Sequence, residues 1–453
     1  MTDDDRSGWE YGREVLESIG ILIEGESSRK NHSKQSDVTI FMVPETLRNL
    51  NPGAYTPRIT SIGPLHKEDK RLKAMEELKV TYMYRLFCET VKSTNKDMEQ
   101  TKRTCVKEVF RNIEHARDCY APSFTKINNF KLAEMMVIDG CFILELLYRS
   151  EHGIMVGDPI FDNILVKRDV KYDLLLLENQ IPFFILERLF QVTVKHILEV
   201  NSLSFLPDHS LTDLIFCFFD DMNILNSELT LENRTVKHCH ILGFLQSCYR
   251  PRATKLGQVP TNIIYSATEI AGAGVTFKPQ RNDGSQLAVK FKQSPLVPCF
   301  GKLFIREASF EIPVLCIKDS TPSFLRNLIA YTQCYPLSRH YVTSFAFLMD
   351  KLIDTKDDVS LLVKANVLKH NLGAREDITN LFNNICNAVV LRDFYYADEW
   401  KKLDAYCKRF WPRILISLSH LYKSTTWKTL TVIAAMAIFA LTLLQTINDV
   451  RNP

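Results

Sequence analysis

The chain has 453 residues, room for two or three domains of about 150 residues or for one large domain with insertions. Apolar residues make up 46% and charged ones 24%, close to globular averages, which excludes collagen, low-complexity sequence and wholesale disorder. With 56 Lys and Arg against 53 Asp and Glu, the net charge of +3 provides no uniform field for steering onto nucleic acid, and no nucleic-acid partner is expected.

Residues 1–36 are polar and charged and read as a mobile arm, without the basic start and apolar stretch of a secretory signal. Val38 to Val43 is a β-favouring run stopped by Pro44, which predicts a first strand before a proline-punctuated loop. Arg71 to Thr90 carries Leu72, Met75, Leu78, Tyr82 and Leu86 at three- and four-residue steps, an amphipathic helix, and Met98 to Cys119 continues helically. Leu132 to Tyr148 and Leu174 to Phe190 are apolar nearly all round, so both are expected as central, buried helices.

Leu203 to Gln246 reads as largely helical, and a helix starts near Ile264 to Glu269 with Ser266 or Thr268 able to cap it. Leu287 to Phe291, Lys302 to Ile305 and Phe310 to Ile317 alternate apolar and polar residues, which predicts a small antiparallel β insert over about 285–318. Helices resume at Ser323 to Cys334, Val342 to Ile353, Leu361 to Leu368 and Asp377 to Ala388, followed by a polar aromatic segment from Phe394 to Trp411. Thr429 to Asn448 has no charged side chain and, at about 1.5 Å per residue, makes about 30 Å of helix, so it reads as a single transmembrane span.

Lys401, Lys402, Lys408, Arg409, Arg413 and Lys423 precede that span and only Arg451 follows it, which by the positive-inside rule leaves the bulk cytosolic. The expected arrangement is therefore a tail-anchored protein of the plasma membrane or an endomembrane, with a tail at 449–453. The expected fold class is mainly α: one large multi-helix domain over 37–425, the β insert and the C-terminal transmembrane helix. Twelve scattered cysteines without a CxxC fit a reducing compartment. Asn31 and Asn233 lie in formal glycosylation sequons, which a cytosolic domain leaves unmodified.

No P-loop, HExxH, GxSxG or zinc-spaced cysteine pair is present, so no cofactor, metal or catalytic residue is assigned and no enzyme is expected. Gly272-Ala273-Gly274 lacks the third glycine of a dinucleotide loop and reads as a turn. His238-Cys239-His240 with Cys248 gathers metal-type donors, but residues two apart do not face each other on a helix, and a structural role is favoured.

The informative residues are polar ones inside apolar runs: Glu134, Asp139 and Glu145, and then Glu178-Asn179-Gln180 before Ile181-Pro182. Burying them unpaired would cost several kcal/mol each, so they need partners, and Arg58, His66, Lys79 and Arg326 are available cations. Two readings stand side by side. In one, Arg58, His66, Asp139, Glu178, Asn179, Gln180 and Arg326 form a structural polar network; in the other, carboxylates around Asp139 and Glu178 with His66 carry acid/base chemistry in a cleft.

The strings Val43 to Arg48, Ala54 to Arg58, Ser61 to His66, Met75 to Lys79, Asp139 to Glu145 and Leu177 to Phe184 resemble, in order, the plant family of domain of unknown function 247. Ser266 to Glu269, Phe324 to Tyr331 with Gln333-Cys334, and the C-terminal apolar stretch extend the resemblance from about Val38 to the end. Tyr265 stands where the family usually has Pro, and Thr332 where it usually has Glu. The resemblance implies a plant membrane protein without an established activity or cofactor. Some grass members are associated with self-incompatibility as pollen-side determinants, which implies recognition of a protein partner. A recognition or scaffold role is thus the first expectation, and a hydrolase-like enzyme using the carboxylate and His cluster is the alternative.

Overall fold

The computed structural model describes residues 38–94, 97–121, 127–153, 157–201, 210–225, 235–250, 257, 265–280, 287–293, 308–371 and 374–408, with 433, 436–439 and 441–442. Among the described residues the helices are α1 Glu45–Arg48, α2 Ala74–Thr94, α3 Met98–Phe110, α4 Ile113–Asp118, α5 Asn129–Glu151, α6 Ile164–Asp173, α7 Phe183–Val192, α8 Val194–Asn201, α9 Leu211–Phe218, α10 Ile241–Ser247, α11 Ala267–Gly272, α12 Thr321–Cys334, α13 Tyr341–Leu352, α14 Lys356–Lys364, α15 Arg375–Ile385 and α16 Ala397–Cys407. The strands are β1 Val275–Pro279, β2 Lys290–Gln293, β3 Ala308–Ile312, β4 Leu315–Ile317 and β5 Leu368–His370. The protein is mainly helical, and the chain divides into two compact units.

The first unit holds α1 to α10 and α12 from Pro322. Its centre is α5, whose face from Leu132 to Tyr148 is almost wholly buried and packs on α2, α3, α7 and α9. Tyr82, Phe142, Phe183 and Phe244 fill this core at 3% exposure or less, as the aromatic content leads one to expect. The starts of the helices are satisfied locally: Asp97, Asn128 and Asn163 each accept from a backbone amide in the first turn, and Ser210 with Asp213 forms a capping box.

The second unit holds α11, the strands and α13 to α16. Its three-stranded sheet has the order β1-β3-β2, with β1 parallel and β2 antiparallel to β3 (Phe277 opposite Phe310, Phe291 opposite Phe310). β4 pairs in parallel with β5, Leu315 opposite Leu368. Ser266 and Glu269 cap α11 reciprocally. Gly274, at φ +84°, turns the chain from α11 into β1, the conformation for which glycine is favoured. Asp358 accepts from Thr268 N at 2.7 Å and from Thr355 N at 2.9 Å, joining the start of α11 to that of α14.

Several expectations are corrected. Among the described residues no helix is long and apolar enough to cross a membrane. A crossing needs about 20 continuous apolar residues. The longest helices, α2 with 21 residues and α5 with 23, carry Lys79 and Glu76, and Asp139, Glu145 and Arg149. Of Thr429 to Asn448, only residues 433, 436–439 and 441–442 are described, and these are helical. The C-terminal transmembrane helix, and with it the single-pass, tail-anchored localisation, is withdrawn.

The wholly antiparallel insert over 285–318 is also corrected, because the three-stranded sheet begins at Val275 with β1 parallel to β3, and the separate pair β4 and β5 is parallel too. Leu174 to Phe190 is not one helix: Leu174 to Ile181 is a turn segment, and helix resumes only at Phe183, after Pro182. Val38 to Val43 makes only a single parallel bridge, Ile40 with Tyr120. Residues 1–36, Asn31, Asn233, Lys302 to Ile305 and the tail at 449–453 lie outside the described residues.

Candidate functional site

A polar network in the first unit ties the loop from Val43 to His66 to the turn segment from Asp173 to Gln180. Asn179 and Gln180 organise the turn from within. Asn179 Nδ2 donates to Asp173 O at 2.8 Å and Thr60 O at 3.1 Å, while its Oδ1 accepts from Ile62 N at 2.6 Å. Gln180 Nε2 donates to Leu174 O at 2.8 Å and Leu176 O at 2.9 Å, and Oε1 accepts from Leu242 N at 3.3 Å. Both amides therefore replace the hydrogen bonds that a helix would have made, which is why this apolar stretch is not helical.

Three carboxylates sit in the network with little or no exposure. Asp139 Oδ1 accepts from Lys79 Nζ at 2.8 Å, and Oδ2 accepts from Gly63 N at 2.9 Å. Lys79 also donates to Ser61 O and to Glu76, which Lys67 meets in turn. Burial works to lower the Lys79 ammonium, but the Asp139 and Glu76 carboxylates outweigh it and hold Lys79 above its usual value.

Asp173 accepts from Arg58 N, Ile59 N and Thr60 N, each at 2.8 Å. Burial pushes its carboxyl up to about 6, against those three amides and the Arg58 charge. Glu178 accepts from Val43 N at 2.6 Å and from Arg48, and its Oε2 lies 3.1 Å from His66 Nε2. Burial raises Glu178, but His66, Arg48 and the Val43 amide together hold it below its usual value.

Of the residues read from the sequence, His66, Glu178, Asn179 and Gln180 lie on the two joined segments, and Asp139 meets the loop from α5. Arg58 joins through its backbone amide; its guanidinium lies 2.8 Å from Asp169 and 3.9 Å from the centre of the Tyr172 ring. Arg326 on α12 is 9% exposed and acts on Tyr55, whose phenol burial raises and Arg326 and Arg48 lower. Glu134 is exposed, which corrects its expected burial.

Asp173 and Asn327 were not singled out. Asn327 accepts from Leu177 N at 2.9 Å and donates to Ala54 O at 2.8 Å, closing the network onto α12. Their signal was the same as that of Asp139: polar residues beside long apolar runs, in YDLLLL and FLRNLIA.

The His238-Cys239-His240 group has structural neighbours. His240 caps α10 by accepting from Gly243 N at 3.1 Å, and its Nε2 lies 3.2 Å from Thr39 O. Burial lowers His240 to about 3, so it is neutral at pH 7. His238 packs edge-on against Phe183 and Phe244. Among the described residues no group of three His, Cys, Asp or Glu side chains could hold a metal ion.

Taken together, fold and site define a mainly helical protein whose most developed polar feature is a closed clamp between two loops. The family model described as "Plant protein of unknown function", DUF247, matches residues 40–441, and the chain belongs to that family. It is similar to a UPF0481 protein of Arabidopsis thaliana, 27% identical over 434 residues, covering 90% of this chain and 85% of that one. A putative UPF0481 protein of the same plant is 22% identical over 495 residues, covering 90% of this chain and 89% of its own length. No solved structure matches the chain.

Proposed function

We propose that the chain is a non-enzymatic recognition or scaffold protein whose buried polar network fixes the shape of its first unit. The observation that supports this reading is the enclosure of the acids: Asp139 and Asp173 have no exposed surface, and Glu178 has 2%. Each is held by two or more donors in the folded chain and has little or no surface through which a substrate could reach it. Apolar side chains such as Phe130 (73% exposed), Ile164 (81%) and Leu165 (58%) offer contact surface instead.

The alternative is acid/base chemistry at His66, favoured by one observation: His66 keeps 17% of its side chain exposed while Glu178 orients its Nε2. The test separates the two. A partner is captured from plant extract, purified, and titrated against the wild-type chain, Ile164→Asp and His66→Ala. Saturable binding weakened by Ile164→Asp and indifferent to His66→Ala is the expected result. Turnover of a metabolite that disappears in a folded His66→Ala chain would replace this reading with the catalytic one.

A further inference from the structure

A second buried cluster lies away from the clamp, where α2, α5 and the turn at 157–163 meet. Glu145 on α5 is 1% exposed. Its Oε1 accepts from Arg149 Nη1 at 3.2 Å, one turn further along, while its Oε2 is buried with no donor. Arg149 is shared: its Nε lies 3.1 Å from Asp158 Oδ2, an ion pair in which that nitrogen makes no hydrogen bond.

Asp158 has no exposed surface and gathers the turn around itself. It accepts from Ile160 N at 2.9 Å, Phe161 N at 3.2 Å and Arg85 Nη1 at 3.1 Å, and from the Tyr82 hydroxyl. Arg149 thus links α5 to the turn, and Arg85 and Tyr82 link α2 to it.

We propose that Glu145 is a proton-controlled latch: neutral, it leaves Arg149 to Asp158 and the turn at 157–163 stays tied to α5; ionised, it draws Arg149 to its unpartnered oxygen and the turn loosens. An ionised, buried oxygen without a donor is costly, and the only cation on its own helix within one turn is the one that Asp158 uses. The charges facing Glu145 are Arg149 on α5 and Glu89 and Arg85 on α2. Cys141, one turn before it, and Cys105 from α3 are thiols whose mutual contact and burial keep Cys141 protonated. On two of the other packed helices, Glu187 on α7 feels the charges of Arg188 and Lys237, and Asp213 on α9 acts on Cys217. Burial pushes Glu145 up to about 7, so its proton leaves around neutrality.

The experiment is amide hydrogen exchange at Ile160 and Phe161 in the full chain from pH 6 to 8, corrected for intrinsic base catalysis. Protection in the wild type is expected to fall by about tenfold by pH 8, the ratio of ionised to neutral acid one unit above its pKa. Glu145→Gln should stay protected throughout, and Arg149→Gln should be unprotected at every pH. Equal pH profiles in wild type and Glu145→Gln, or protection kept in Arg149→Gln, would overturn the latch. If Glu145→Gln does not fold, Glu145→Leu is measured at pH 6; a failure of both neutral side chains to fold also overturns it, since a neutral Glu145 is the tied state.

Discussion

Lys79 Nζ lies 2.8 Å from Asp139 Oδ1, and neither side chain has any exposed surface. Such a pair is not by itself a source of stability, since desolvating both ions offsets most of their attraction, but removing one partner strands the other. Asp139→Ala or Lys79→Met should each lower unfolding free energy by about 3–5 kcal/mol. The double change Lys79→Met with Asp139→Ala should cost less than the sum of the two, because neither charge of the pair is left stranded. Urea midpoints of the four chains measure this directly, and additive losses would mean the two residues are not a pair.

Glu178 sets the acid limit of the first unit. Its folded carboxyl is held below the unfolded value, so its contribution is present above pH about 4.5 and is lost as pH falls through the folded value. Glu178→Gln should lose about 1.5–3 kcal/mol at pH 7 for the charge-assisted bonds to Arg48 and the Val43 amide. It should also flatten the acid branch of a stability-against-pH curve. A variant with an unchanged acid branch would place the acid sensitivity elsewhere.

Asp173 acts in the opposite sense. With its folded carboxyl near 6, the folded chain holds a proton that the unfolded chain has released, so stability falls as pH rises from about 4 to 6. Asp173→Asn removes that slope but turns an NH2 group toward backbone amides that need an acceptor, and should cost about 1–3 kcal/mol at pH 7. Chemical denaturation at pH 4, 5, 6 and 7 distinguishes the lost slope from a uniform loss.

The clamp was half legible in the sequence. Asp139 and Glu178 announce themselves because an acid within an apolar helix face or run must find a partner. Lys79 could be named as a candidate cation, but its pairing depends on how α2 lies along α5, which periodicity does not specify. Val38 to Val43 has the composition of a strand, yet its amides are met by Cys119 O and by the Glu178 side chain rather than by a ladder. The stretch from Leu174 to Phe190 has helical composition, but Asn179 and Gln180 take over the backbone carbonyls of Asp173, Leu174 and Leu176. Alternation near Phe291 and Phe310 marked strands without saying which neighbour each would take, so the parallel pairing of β1 with β3 was out of reach.

The closest approach in the clamp is at Gly63, and it supplies the sharpest test. Gly63 has φ +70°, and a Cβ there would lie 2.6 Å from Gln180 O and 3.0 Å from Tyr120 Oη. Those two atoms are already bonded to each other at 2.9 Å, and Gly63 N donates to Asp139, so neither the loop nor the turn can yield without breaking a buried hydrogen bond. Gly153 is the matched control: φ is +66° and nothing lies within 4 Å of its Cβ position. Gly153→Ala should cost only the left-handed strain, about 1 kcal/mol, whereas Gly63→Ala should cost that and at least about 2 kcal/mol more for the displaced bonds. Thermal unfolding of the two variants side by side measures the difference, and equal losses would mean that the loop and the Gln180 carbonyl are not in contact.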